Sequence, residues 1–361
     1  MNRRDFTQLL ALALPAARLP ISAQTTTPQK PIGYAVIGLG GISSIFMRAC
    51  AASQHAKVVA LVTGHPAEKG TRYSQLYNVP KSSIYTYETF DQIKNNPDID
   101  AVYIGLPNGM HKEFTLRAAA AGKHVLCEKP MAVSSAECRT MIDACKTANV
   151  KLMIAYRIQY EPMWLQAQQM IDSGALGQIQ SFQGGFYNNQ PAGVWRLSKT
   201  LGGGGSLLDV GIYPLNAIRW LTGEEPASYT AIASTRDHSG RFAEVEQNLQ
   251  WTMKMPSGII ASNGCSYGSS GPSFLTINGE TGYLQFLPAF NYDGVRMLGM
   301  VSGKPVDIVS TQKNPYQFTI EADHFADCIR NNRTPKTPGE EGLKDMLAIE
   351  AIYRAAGTPI A

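Results

Sequence analysis

Little of this chain is charged. Asp, Glu, Lys and Arg make up 17% of its 361 residues, and 32 basic side chains barely outnumber 28 acidic ones. The basic residues are scattered, which excludes the dense stripe that a nucleic-acid-binding face requires. Beyond the N-terminus no apolar run reaches the roughly 20 residues that span a bilayer. The six cysteines, Cys50, Cys127, Cys138, Cys145, Cys265 and Cys328, include no pair at metal-ligand spacing. On a helix Cys138 and Cys145 would stand about 10 Å apart, beyond disulfide reach. Buried free thiols are expected. With no ligand partners for His238 or His324, no metal site is. Internal repeats and long low-complexity tracts are also absent.

The N-terminus carries an address. Arg3-Arg4 precedes a short apolar stretch, Leu9 to Ala17, then Ile21-Ser22-Ala23 as a small-residue cleavage site. Charge, apolar core and cleavage site come in the order of a twin-arginine export signal, whereas a frayed amphipathic terminus needs no such order. Residues 1–23 are therefore set aside as a signal, the expected destination is the periplasm, and 24–31 form a short polar arm. The remaining 340 or so residues exceed what one core usually holds, so two domains are expected. An apolar fraction of 44% suits a globular chain.

Apolar runs at 32–37, 57–62, 101–104, 124–127 and 151–155 alternate with helical patterns at 43–52, 66–77, 111–121 and 134–148. Alternation of this kind predicts a parallel, doubly wound α/β sheet over 32–155. After one helix at 163–172 the pattern changes. Runs at 178–186, 227–234, 244–253, 259–267, 273–277 and 283–286 are separated by hairpin signals such as Asn278-Gly279. One large open, mostly antiparallel sheet is expected within 156–361, closed by helices at 318–331 and 339–356. The last helix is expected to pack back on the first domain.

Gly38-Leu39-Gly40-Gly41-Ile42 and Ser43 lie between the first strand and the first helix. The first glycine permits a tight turn, the second lets backbone approach a pyrophosphate, and the small third residue allows close helix packing. This context makes the motif a dinucleotide loop rather than a plain glycine-rich turn. The second strand ends in Thr63-Gly64-His65, without the acid that usually binds the ribose hydroxyls of NAD. Thr63, Lys69 and nearby His65 and Arg72 offer donors and positive charge to a 2′-phosphate. NADP is the expected cofactor, with Thr63 as a strand-end cap the plainer alternative. Free nicotinamide cofactors are scarce outside the cytoplasm. An exported enzyme of this kind needs NADP loaded before export, held tightly and reset in place by a second substrate.

The carboxyl ends of parallel strands are where such folds bind ligands, and Glu128-Lys129 ends the fifth. Further on, a glycine run, Gly202 to Gly205, leads into Asp209 and Tyr213, which a helix would place on one face. Hydride transfer needs a group that takes the hydroxyl proton. Tyrosine is a poor base at its reference pKa near 10, but an adjacent Lys⁺ would lower that value. Lys129 and Tyr213 could form such a pair, with Asp209 orienting substrate hydroxyls or Lys129. Equally, Asp209 could be a helix cap and Tyr213 a core aromatic.

Together, Gly38-Leu39-Gly40, Leu106-Pro107-Asn108 with His111, Cys127-Glu128-Lys129-Pro130, Tyr156-Arg157 and Asp209-x-Gly211-x-Tyr213 resemble the glucose–fructose oxidoreductase and inositol dehydrogenase family. The likeness runs from about Ile32 to the C-terminus. Trp195-Arg196, the glycine run, Gly223-Glu224-Glu225-Pro226 and Pro338 to Gly342 bring it nearest the glucose–fructose oxidoreductase branch. The resemblance implies a Rossmann domain plus a domain whose open sheet makes oligomer contacts. It also implies retained NADP and a ping-pong cycle, in which an aldose is oxidised at C1 to a lactone and a second sugar is reduced. By position Lys129 matches the family lysine, Tyr213 its acid/base and Asp209 its substrate-side carboxylate. Leu106, Pro107, Asn108, His111, Glu128, Arg157, Trp195 and Arg196 fall on the cofactor side. The chain departs from that branch in its arm, which is only Gln24 to Pro31 where relatives carry a long proline-rich segment over the adenine.

The expected partners are small sugars and further copies of the same chain, as a homodimer or homotetramer through the open sheet. No nucleic acid is expected, and no membrane after signal removal. Competing readings are a cofactor-retaining glycoside hydrolase of the same fold, an NADP-dependent sugar dehydrogenase with exchangeable cofactor, and a non-catalytic sugar or cofactor sensor. The intact Lys129 and Tyr213 speak against the sensor.

Overall fold

An almost wholly apolar run, Ile32–Ile37, forms strand β1 and is buried along its whole length, as a strand covered on both faces must be. The computed structural model describes residues 30–358. The export signal expected at 1–23, and the expected arm up to residue 29, lie outside the described residues. After β1 come α1 (Gly41–Ala52), β2 (Ala56–Val62), α2 (Thr71–Tyr77), β3 (Ile84–Tyr85), β4 (Ala101–Ile104), α3 (His111–Ala120), β5 (His124–Glu128), α4 (Ser135–Thr147) and β6 (Leu152–Ala155). The strands form a parallel sheet in the order β3-β2-β1-β4-β5-β6. Its direction of winding reverses between β1 and β4, which opens a crevice at their carboxyl ends. The helix expected at 66–77 begins instead as one wide π turn, Pro66–Gly70. Gly70 packs against Ile84 and its N–H reaches back to the His65 carbonyl (3.2 Å), which widens the turn.

The second sheet is introduced by α5 (Pro162–Asp172). It comprises β7 (Ile179–Tyr187), then, after α6 (Lys199–Gly202) and α7 (Ile212–Thr222), β8 (Ser228–Ser234), β9 (Asn248–Lys254), β10 (Ile260–Ser266), β11 (Phe274–Gly279), β12 (Tyr283–Phe286), β13 (Arg296–Val301) and β14 (Lys304–Val309). Its order is β14-β13-β12-β11-β7-β10-β9-β8, antiparallel except where β7 runs parallel to β10. Strand β14 escapes sequence reading because it is an edge strand, exposed along most of its length, so it carries no alternation. The run expected from Glu244 begins as a strand only at Asn248. Glu244 and Glu246 spend their side chains on backbone amides elsewhere.

One face of this sheet is covered by helices. Trp164 of α5 stacks on Phe286 (4.0 Å between ring centroids), and Gly184 lets Pro214 of α7 approach. The other face is open. Register places Thr252, Ser262, Gln183, Thr276 and Gln285 in one row across it. Exposed apolar side chains there, such as Ile232, Ile260 and Met300, are dispersed among polar ones. The face is thus a flat hydroxyl and amide ladder rather than a contiguous apolar patch.

The chain then returns to the first domain. In α8 (Tyr316–Arg330), Ala322, Phe325 and Ala326 join the core of β1, β2 and α1. The segment before α9 (Gly339–Ala355) docks on the edge strand β6, where Ile154 N–H donates to the Thr337 carbonyl (2.8 Å). Helix α7, which carries Tyr213, is anchored to α9 by a buried charge cluster. Arg219 bonds Glu225, Glu341 and Asp345, and Asn216 bonds Asp345 (3.0 Å). Burial pushes the Asp345 carboxyl up to about 6 despite the adjacent guanidinium. A group raised in the fold adds stability at low pH and loses it as pH rises through its folded value. Arg219→Met leaves this carboxyl without its cation and should cost about 3–5 kcal/mol at pH 8. The expected outcome is a lower urea midpoint at unchanged slope, with a smaller loss at pH 5 than at pH 8. Equal losses at both values would contradict this account of the cluster.

Candidate active site

At the end of β1, Gly38 turns the chain with φ of 79°, a conformation suited to glycine. A β-carbon there would also lie 2.7 Å from the Gly105 carbonyl oxygen. Gly40 and Gly41 face open space, with nothing within 4 Å of where their β-carbons would stand. Helix α1 starts there without a side-chain cap, so its first N–H groups and dipole are free for an anion. These residues form a cradle that fits a dinucleotide pyrophosphate. Beneath it Ser43 is fully buried, and a β-carbon on Gly105 would collide with its hydroxyl. Ile42 lines the adjoining cleft, whereas Leu39 packs into the core. Thr63, at the end of β2, is buried, and its Oγ1 accepts from the His65 N–H (3.1 Å), as a strand-end cap does. Gly64 is exposed and Lys69 half-buried in the next turn, where Glu68 is the first acid after β2.

A cleft of about 690 Å³ opens at the carboxyl ends of the parallel strands, between the two sheets. Leu106, Asn108, Glu128, Lys129, Arg157, Trp195, Arg196, Asp209 and Tyr213 all line it. Lys129 donates to both the backbone carbonyl (2.7 Å) and Oδ1 (3.0 Å) of Asp209. Asp209 Oδ2 accepts from Arg196 Nε (2.9 Å) and the Tyr267 hydroxyl (2.7 Å). Asp209 belongs to a single π turn, Leu207–Gly211, that runs straight into α7 and Tyr213. Lys129 Nζ stands 4.7 Å from the centre of the Tyr213 ring. The hydrogen bond to the Tyr213 hydroxyl comes instead from Arg157 Nε (3.3 Å). Neither Asp209 as a helix cap nor Tyr213 as a fully enclosed core aromatic describes this arrangement.

The electrostatics separate the roles. Burial disfavours the Asp209 charge, but Lys129, Arg196 and the Tyr267 hydroxyl outweigh it and hold the carboxyl well below the usual carboxylate range. Burial likewise works against the Lys129 ammonium, yet the Asp209 carboxylate reverses the effect and keeps it above the ordinary lysine value. Lys129 is thus held as a cation against Asp209. Arg157 is buried and donates to neutral groups, the Tyr213 hydroxyl, Gln317 Oε1 (2.7 Å) and the carbonyls of Phe290 and Asn291. Burial pushes the Glu128 carboxyl up, and the Tyr103 hydroxyl donates to it at 2.6 Å.

Other residues named from the sequence hold the frame. Asn108 Nδ2 donates to the Gly202 carbonyl (2.8 Å), tying the first domain to the glycine run. Pro107 heads the turn that presents Asn108. His111 lies away from the cleft, fully buried, with its ring nitrogens 2.9 and 3.0 Å from the carbonyls of Pro130 and Leu106. It braces two strand-end loops. Sequence reasoning missed Tyr267, Asn291 and Gln317, which sit in an ordinary strand end, a loop and a helix start. All six cysteines are buried and unpaired.

Residues 32–156 match the model described as oxidoreductase family, NAD-binding Rossmann fold, and residues 164–285 match the GFO/IDH/MocA C-terminal domain. The D-xylose 1-dehydrogenase [NADP(+)] of Haloarcula marismortui is 30% identical over 93% of this chain and 94% of its own. The crystal structure of aldose-aldose oxidoreductase from Caulobacter crescentus complexed with glycerol is 42% identical, with a TM-score of 0.87 over 91% of this chain and 98% of that one. Levoglucosan dehydrogenase, at 22% identity and a TM-score of 0.79, shares the fold. With a phosphate cradle, a cleft holding Lys129, Asp209 and Tyr213, and agreement with both family domains, the chain belongs to the GFO/IDH/MocA family of oxidoreductases.

Proposed function

We propose that this enzyme oxidises an aldose at C1 to a lactone and then reduces a second sugar, an aldose or a ketose, with NADP that stays bound between the two half-reactions. The observation that carries this reading is the joining of Lys129, Asp209 and Tyr213 in one cleft at the strand ends. Similarity to an aldose-aldose oxidoreductase at 42% identity supports the two-sugar cycle, and similarity to an NADP(+)-named dehydrogenase supports the choice of cofactor. Arg3-Arg4 and the short signal behind them support export to the periplasm, where a two-sugar cycle removes any need for free nucleotide.

NADP would be held by the cradle at Gly38 to Ile42, by Thr63, Gly64 and Lys69 on the adenosine side, and by Leu106, Asn108 and Glu128 beside the nicotinamide. When bound, it supplies the hydride acceptor and donor. The Tyr213 oxygen takes the sugar hydroxyl proton as the C1 hydride departs, and returns a proton to the second sugar's carbonyl. Arg157, bonded to that oxygen, and Lys129, beside the ring, place positive charge where the proton is transferred. Arg196, with its guanidinium over Trp195 at 4.5 Å, is placed to meet sugar hydroxyls. The flat outer face of the second sheet is the surface proposed to join copies as a dimer or tetramer.

A second reading, an NADP-dependent sugar dehydrogenase with exchangeable cofactor, draws on the likeness to the xylose enzyme and on the short arm. Both readings need Tyr213. In Tyr213→Phe, reduction of nicotinamide by aldose in a single turnover should slow by about 10²–10⁴-fold, with NADP binding kept; a near-normal rate would remove Tyr213 from the chemistry. Protein stripped of nucleotide should bind NADP about tenfold or more tightly than NAD, as expected of charge-assisted bonds to a 2′-phosphate. Lys69→Ala should narrow that gap in a calorimetric titration. Equal affinities in the parent protein would count against NADP.

A further inference from the structure

We propose that Glu246 is a positioning residue for the hydride-transfer site, clasping the backbone ahead of Asp209 so that Asp209, and through it Lys129, stands in register with Tyr213. The proposal rests on the roles given above to Asp209, Lys129 and Tyr213.

The segment that delivers Asp209 begins with four residues that have no side chains to hold them. Gly202 to Gly205 is bare backbone, and the close packing around it demands that bareness. A β-carbon on Gly202 would lie 2.9 Å from the Arg196 carbonyl oxygen, and one on Gly204 would lie 2.7 Å from the Tyr353 hydroxyl. One on Gly205 would collide with Glu246, and Gly203 adopts φ of 82°. Four successive glycines lose much conformational entropy on ordering, so something outside the run must fix it.

Glu246 supplies the fixing contacts. Oε2 accepts from the Gly205 N–H (2.9 Å), and Oε1 accepts from the Leu207 N–H (3.0 Å), the Tyr353 hydroxyl (3.0 Å) and, more weakly, the Ser206 hydroxyl (3.5 Å). The first N–H groups of a helical turn lack internal partners, and a carboxylate at that end is favoured by charge. Leu207 opens the π turn whose third residue is Asp209.

Glu246 is also coupled to the other end of Asp209. It directly precedes Gln247, whose carbonyl accepts from the Tyr267 N–H (2.9 Å), and Tyr267 holds Asp209 Oδ2 through its hydroxyl. The second sheet therefore reaches Asp209 in two ways: the backbone ahead of it through Glu246, just before β9, and its carboxylate through Tyr267, just after β10. Lys129 bonds both the carbonyl and the carboxylate of Asp209, so a shift of this turn moves the Lys129 ammonium relative to Tyr213.

The test uses full-length protein carrying Glu246→Ala or Glu246→Gln, with Asp209→Asn and Tyr213→Phe prepared alongside. Single-turnover reduction of the bound nicotinamide by an aldose is measured across pH, per mole of bound NADP, together with the thermal midpoint. A misplacement of about 1 Å can cost about 100-fold in rate. Glu246→Ala should therefore lose about that factor, and the acid limb of its pH profile should move. Glu246→Gln, which keeps one acceptor oxygen and folds more readily, should lose about tenfold with a shift in the same direction. Rates per bound cofactor within twofold of the parent, or slower rates on an unmoved pH profile, would overturn the proposal whatever the thermal midpoint does. If Asp209→Asn and Tyr213→Phe also leave the rate intact, the proposed function fails; if they abolish it and the Glu246 variants do not, only the clasp fails.

Discussion

Asp209 carries a charge in a place where charge is costly, and much of the cleft is organised around making that charge tolerable. An ionised carboxylate out of water is stable only when its lone pairs are met by donors of good geometry. Here the donors come from three separate parts of the chain: Lys129 at the end of β5, Arg196 in the loop after β7, and Tyr267 at the end of β10. Each partner is satisfied by the arrangement as much as Asp209 is. The Lys129 ammonium stays charged in a buried setting because the carboxylate outweighs the cost of burial. One anion thereby joins the nucleotide domain to the second sheet and fixes a cation beside the Tyr213 ring.

This has a chemical consequence. A lysine whose ammonium is bonded to both the carbonyl and the carboxylate of one aspartate is poorly placed to shuttle a proton, which is why the proposed mechanism gives that task to Tyr213. Arg157 donates to the Tyr213 oxygen and is otherwise held by neutral carbonyls and an amide rather than by a carboxylate. No carboxylate bonds it directly, although Glu128 lies within electrostatic reach. Such fixed, preorganised positive charge is of most use where negative charge changes during reaction.

The parts of the site that could be read from sequence are those whose physics is local. Ile32–Ile37 is a buried strand because it is apolar throughout, Gly38 is a glycine because the turn's positive φ and the nearby Gly105 carbonyl leave no alternative, and Gly40 keeps the mouth of the cradle bare. Glu128-Lys129 at a strand end, and Asp209 with Tyr213 at one turn's spacing, were legible for the same reason. What was not legible depends on residues distant in the chain. Tyr267 meets Asp209 across 58 residues and Gln317 meets Arg157 across 160, and nothing near either residue marks it. Sequence linked Arg157 with the cofactor side, while the fold turns its Nε toward Tyr213. His111 reads as a cofactor contact by its motif, yet two backbone carbonyls take both ring nitrogens inside the protein. The open sheet was foreseen, but alternation along each strand cannot tell a polar ladder from a hydrophobic face until register aligns Gln183 with Ser262 and Thr276.

The claim on which the account turns is that one retained nucleotide serves two sugars in turn within this cleft. Its most direct test is the absorbance spectrum of the purified, full-length protein with no nucleotide added, recorded alone, after an aldose, and after a second sugar. The account predicts a bound nucleotide that survives gel filtration, a reduced-nicotinamide band that rises on adding the aldose, and bleaching of that band by the second sugar with no free NADP present. Protein that carries no nucleotide, or whose reduced band persists until free NADP is supplied, would contradict the closed two-sugar cycle and leave a dehydrogenase with an exchangeable cofactor.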